Sequence, residues 1–192
     1  MDKYLKVLFG NKSNANGTGF EYKIGELNVA NFWNPKGKNP KEMGGFNFSS
    51  ESKILRWLVR GDTLYDVIIP SNAEVIECEN NSVPKGVFRT NKIIITNPRT
   101  VTDDIAMDLY LKSDLPEKSY YKAMTGCAIR GHINTAIKII NDRVNKDNVS
   151  IAILEFEDFC TPEGENVNNF NANILSDDIK KIYNMLLDIR NK

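Results

Sequence analysis

The chain has 192 residues, 41% of them hydrophobic, and balances 25 basic against 25 acidic side chains. That length supports one good core, or a core domain with a helical appendage, and excludes two large domains. The balanced charge gives no net field toward nucleic acid or an anionic membrane surface. No apolar run approaches the roughly 20 residues that a membrane helix needs. The segment Met1-Asp2-Lys3-Tyr4-Leu5-Lys6-Val7-Leu8-Phe9-Gly10 interrupts its apolar residues with charges, unlike a signal peptide. Three widely spaced cysteines, Cys78, Cys127 and Cys160, have no second ligand type beside them, which argues against a disulfide framework and against a metal centre. The expectation is a cytoplasmic, reduced protein with no bound metal.

In chain order, residues 1–10 read as a first strand and residues 11–19 as a polar turn cluster. Phe20-Glu21-Tyr22-Lys23-Ile24 alternates apolar and polar, the pattern of a half-buried strand. Residues 28–45 are broken by Pro35, Gly37, Pro40, Gly44 and Gly45, with Phe32 and Trp33 as anchors; so long a connection suits a functional lid. A short strand, Gly45-Phe46-Asn47-Phe48-Ser49-Ser50, leads into an amphipathic helix capped by Ser49 or Ser50. That helix has Ile54, Leu55, Trp57 and Leu58 on its buried stripe and Gly61 at its end. Strands are predicted over 63–70, 74–79 and 87–96.

From residue 102 the pattern turns helical. Asp103 and Asp104 open a helix to about residue 112, where negative charge complements the helix dipole. Pro116 opens a second helix, which runs to Arg130 and stops at Gly131. A third, over 134–144, sets Ala136, Ile137, Ile139 and Ile140 on its apolar face. Residues 150–160 admit helix or strand, with Glu155, Glu157 and Asp158 favouring a solvated helix. The stretch 161–165 reads as a loop, and Ser176-Asp177-Asp178 caps a closing helix with Ile179, Ile182, Met185, Leu186 and Ile189 at helical spacing. The class is therefore α+β, with a mixed β-sheet domain over 1–98 and a helical region over 99–192.

Two resemblances attach to these segments. The run from Gly126 to Ile140, with small residues, the Gly131-His132 turn and an aliphatic stretch in register, looks like the two-helix core of one ankyrin repeat. The segment from Gly19 to Asn97 is similar to the amino-terminal module that precedes ankyrin repeats in giant-virus proteins. Its layout, a glycine-led strand ending in serines, then a helix and further strands, also looks like the core of ADP-ribosyltransferases. This resemblance implies an intracellular enzyme that uses NAD on an unknown acceptor, in conflict between a host and a virus or mobile element.

On that resemblance Glu74, Glu77 and Glu79 are the carboxylates for the ribose, whose developing positive charge they would stabilise more than the ground state. Gly44 and Gly45 would admit close backbone approach, and Ser49 or Ser50 would bond a ribose. Tyr22, Trp33 or Phe48 would stack on nicotinamide, and Arg89 would contact an anion. The early strand carries no histidine or arginine, and Ser49-Ser50-Glu51-Ser52 departs from the usual serine-threonine-serine. Each residue has a plainer reading, since glycine pairs serve turns, helix-opening serines cap, and strand aromatics fill cores. His132, the single histidine, fits a structural turn, so a Ser-His or Cys-His nucleophile is not assembled. The second functional expectation is a noncatalytic protein-interaction module, with Phe32, Trp33 and their connection as the binding face for a protein partner.

Overall fold

The computed structural model describes residues 3–16, 19–78, 85–161 and 165–192. The chain forms two compact units. One comprises Met1–Leu55, Arg60–Val101 and Lys112–Asp114, and the other Arg56–Val59, Thr102–Leu111 and Leu115–Lys192. The class is α+β. The helix after the serine-rich strand is a 3-10 helix, Glu51–Arg60, whose residues divide between the units. Among the described residues no helix is long and apolar enough to cross a membrane.

Among the described residues the first unit carries seven strands, β1 (Tyr4–Leu8), β2 (Asn28–Val29), β3 (Phe46–Ser50), β4 (Thr63–Ile68), β5 (Val75–Glu77), β6 (Val87–Thr90) and β7 (Lys92–Thr100), and a short helix, α1 (Pro40–Met43). Their order is β2-β7-β4-β1-β3-β6-β5, and every ladder is antiparallel. The expected mixed sheet is thus antiparallel, apart from one isolated parallel bridge between Ile24 and Ile95.

The expected strand over 87–96 divides at Asn91, and this division shapes the sheet. Thr90 ends β6 and Lys92 starts β7, yet β3, β1 and β4 lie between those two strands. Four strand spacings would span roughly 19 Å in a flat sheet, whereas residues two apart lie within about 8 Å. The sheet must therefore curl until its two halves face one another. The core agrees, because Phe46 and Phe48 of β3, Tyr65 and Val67 of β4, and Ile93 and Ile95 of β7 fill one cluster with Leu8 and Tyr22. Each pair is two residues apart, as a shared inner face demands. Asn91 is held at the bend, where its side-chain oxygen accepts from Glu74 N at 2.9 Å.

Phe20–Ile24 is not a ladder strand. It makes only isolated bridges, Lys12 with Glu21 and Ile24 with Ile95, yet Tyr22 is buried because its alternation still turns that ring into the core. Neither expected serine cap forms. Ser49 Oγ donates to Gly86 O, Ser50 Oγ pairs with Ser52 Oγ, and the Glu51 amide donates to Lys3 O.

The second unit contains α2 (Asp103–Leu111), α3 (Glu117–Ile129), α4 (Ile133–Arg143), α5 (Val149–Cys160) and α6 (Asp177–Asn191), with 3-10 turns at Val167–Asn169 and Ala172–Ile174. Residues 150–160 are thus helical. Met124, Cys127, Ala136, Ile139, Ile140, Phe156, Ile182 and Leu186 are fully buried, whereas Ile137 is half-buried; Ile139 takes the inward position expected of it.

Helices α3 and α4 join through Arg130, Gly131 and the buried His132, whose amide donates to Cys127 O at 2.8 Å. The first turn of α4 is capped from α2. Asp103 accepts from Asn134 N and Thr135 N at 2.9 and 3.0 Å and from Thr135 Oγ1 at 2.6 Å. Burial pushes this carboxyl up, but the bonds from Thr135 and Asn134 outweigh it and hold the group below its ordinary range. Asp103→Ala should lower stability by about 1 to 2 kcal/mol. Urea unfolding checks this, and a loss near zero would mean that water replaces the carboxylate.

Candidate functional site

The candidate residues fall into three groups rather than one. Tyr22 and Phe48 belong to the core, both nearly inaccessible. The Tyr22 ring lies 5.3 Å from that of Phe46, and Phe48 packs edge-on to Tyr4 and stacks with Phe88, each at 5.2 Å. Burial pushes the Tyr22 hydroxyl well up from its ordinary pKa.

Ser49, Ser50 and Glu77 meet at the Gly86 peptide. The Gly86 amide donates to Glu77 Oε1 at 2.7 Å, and its carbonyl accepts from Ser49 Oγ at 3.1 Å and Ser50 N at 2.8 Å. This arrangement ties β5 to β3 across the start of β6.

Glu74 and Gly45 meet at Trp33, and Arg89 reaches the same glycine pair. The Trp33 indole donates to Glu74 Oε2 at 2.8 Å, and Trp33 bridges to Gly44. Gly44 and Gly45 both have left-handed backbones, with φ of +64° and +69°. A Cβ on Gly45 would stand 2.6 Å from the Trp33 ring and 2.6 Å from Thr90 O, so only glycine admits this approach. Arg89 Nε donates to Gly44 O at 2.7 Å and Nη2 donates to Gly45 O at 3.2 Å, which fixes the two left-handed peptides. Burial pulls the Arg89 pKa down, partly offset by Cys78 and Tyr22.

Lys6 belongs beside this third group, although nothing in its strand context marks it as functional. It shares an inner face with Tyr4 and Leu8, and the β1–β3 ladder stops at Leu5–Ser49, just before it. Its ammonium fills the gap, donating to Asn47 O at 2.6 Å and Asn47 Oδ1 at 2.8 Å, and lies 5.1 Å from the Tyr22 ring centre. Burial, with Arg89 acting in the same direction, lowers its pKa from 10.5 to about 7. Among the described residues neither Lys6 nor Arg89 forms an ion pair with a carboxylate. The available sequence signal was one lysine on the inward parity of an apolar strand.

An NAD site would need the ribose carboxylate, the serine and the stacking ring around one space. Here Glu74 and Glu77 serve different neighbours, as their odd separation along extended chain demands. Glu79 lies outside the described residues. Tyr22 and Phe48 are committed to the core, so the described residues do not fit the cofactor as one site. What the arrangement does present is an ordered connection, 28–45, with Phe32 at its outer face at 55% exposure. Comparison with protein families, curated proteins and solved structures finds no match to this chain.

Proposed function

We propose that this chain is a noncatalytic protein-interaction module, working in the cytoplasm, whose contact face lies on the connection between β2 and β3. One observation carries the reading. The polar groups expected to meet NAD bond to the protein itself, while Phe32 stands out on a backbone held by Gly45 N donating to Phe32 O at 2.9 Å. An exposed aromatic on a rigid backbone loses little conformational entropy when a partner covers it, which suits a binding anchor. The ankyrin-like α3–α4 hairpin fits the same reading, since ankyrin-type hairpins are structural units of binding surfaces.

Calorimetric titration with NAD and an NAD-cleavage assay test the proposal against the ADP-ribosyltransferase-like enzyme. The expected result is no binding heat and no nicotinamide release from the folded protein. Binding that Ser49→Ala and Glu74→Gln both weaken would overturn the module in favour of the enzyme.

A further inference from the structure

Phe32 and Arg89 flank a single glycine. A Cβ on Gly44 would stand 2.6 Å from Phe32 Cδ1, so the ring rests on the Gly44 backbone, while the carbonyl of the same residue takes the Arg89 guanidinium. Among the described residues Arg89 Nη1 makes no hydrogen bond. The connection adds Lys36, Lys38 and Lys41, all exposed and without ion pairs among the described residues. Two carboxylates, Glu42 and Glu74, accompany Arg89 and the three lysines; both bond to neutral donors and so offset two of the four positive charges. Glu42 accepts from Lys38 N and the Asn39 side chain, and Glu74 holds the Trp33 indole. The buried Lys6, bonded to Asn47, adds no standing charge to this face, since burial and Arg89 both favour its neutral form. The face therefore joins an exposed aromatic ring to an excess of positive charge.

We propose that this face takes an acidic peptide segment of a partner protein, with an apolar side chain on Phe32 and a carboxylate on the Arg89 guanidinium. The proposal rests on the interaction-module reading and names the partner's chemistry. Nη1, the guanidinium nitrogen left without a hydrogen bond, can donate to a carboxylate, and such charge-assisted bonds are stronger than neutral ones. An apolar anchor ringed by complementary charge gives both hold and orientation.

The test is fluorescence anisotropy with a short labelled peptide alternating aspartate with leucine and phenylalanine, run beside a version with lysine for aspartate and one with alanine for the apolar residues. The expected result is that only the acidic, apolar peptide binds, that its affinity falls with added salt, and that it shifts the Trp33 indole and Gly44 amide resonances. Phe32→Ser and Arg89→Lys should each weaken binding by about tenfold or more. The first leaves the carbonyl bonds of Arg89 intact, and the second keeps the charge while losing the Nη1 donor. Equal binding of the lysine peptide, or full binding by Phe32→Ser, overturns the proposal. If no peptide binds, sedimentation separates the two levels. A dimer that Phe32→Ser dissolves keeps the module reading and replaces its occupant with a second copy, whereas NAD binding or cleavage removes that reading as well.

Discussion

Gly45→Ala should destabilise the sheet unit by about 2 to 5 kcal/mol, while Gly25→Ala costs only about 1 kcal/mol. Both glycines are left-handed, at φ of +69° and +77°, so the backbone penalty is similar. Space separates them. Nothing lies within 4 Å of a Cβ on Gly25, whereas one on Gly45 meets the Trp33 ring and Thr90 O, both at 2.6 Å. Thr90 is fully buried and Trp33 is tied to Glu74, so neither gives way cheaply. Urea unfolding of the two variants decides the matter. Equal losses would show that Trp33 swings aside freely, and the rigid face built on it would fall with that result.

Lys6→Met should abolish a pH dependence that the natural chain displays above neutrality. The folded pKa is about 7 against 10.5 for the free side chain, so between those values the unfolded chain binds more protons than the folded one. Stability must then rise with pH across that window, and the destabilisation from burying the charge is fully present below pH 7. From pH 7 to about 8.5, the difference in stability between natural chain and variant should change by about 1 to 2 kcal/mol, in favour of the natural chain. Taking that difference cancels the cysteines, of which Cys78 and Cys160 are also pushed up by burial, the latter to about 12. Guanidinium unfolding at several pH values supplies the measurement. A difference independent of pH would mean that water or rearrangement already solvates the ammonium.

Helices α2, α3, α4 and α6 were legible from the chain alone because each carries its own signals, whereas α1 was read as part of a connection and α5 was not settled against a strand. Asp103 and Asp104, Pro116, Gly131 and the Ser176-Asp177-Asp178 start mark the boundaries, although Ser176 makes no side-chain cap bond, and the 3.6-residue spacing of Ile182 and Leu186 needs no distant partner to be recognised. The alternation in β3, β4 and β7 was equally local, since Phe46 and Phe48, Tyr65 and Val67, and Ile93 and Ile95 repeat at two residues. Strand partners were not legible. That Asn91 breaks one apolar run into two strands on opposite halves of a curled sheet follows from pairings with β3, β4 and β5, which no residue near 91 announces. The same holds for the site. Sequence supplied the residue types at Gly45, Glu74, Glu77 and Arg89, but which carboxylate meets which donor depends on the β5–β6 pairing that sets Glu77 beside Gly86 and on the approach of Trp33 to Glu74. Lys6 shows the limit most clearly, because a lysine in an apolar strand is recognised by its parity alone. Only the early end of the β1–β3 ladder creates the gap where its ammonium replaces a backbone donor to Asn47. Periodicity and capping are properties of neighbours along the chain, whereas ladder ends, close approaches and uncompensated charges arise between segments that tertiary structure alone brings together.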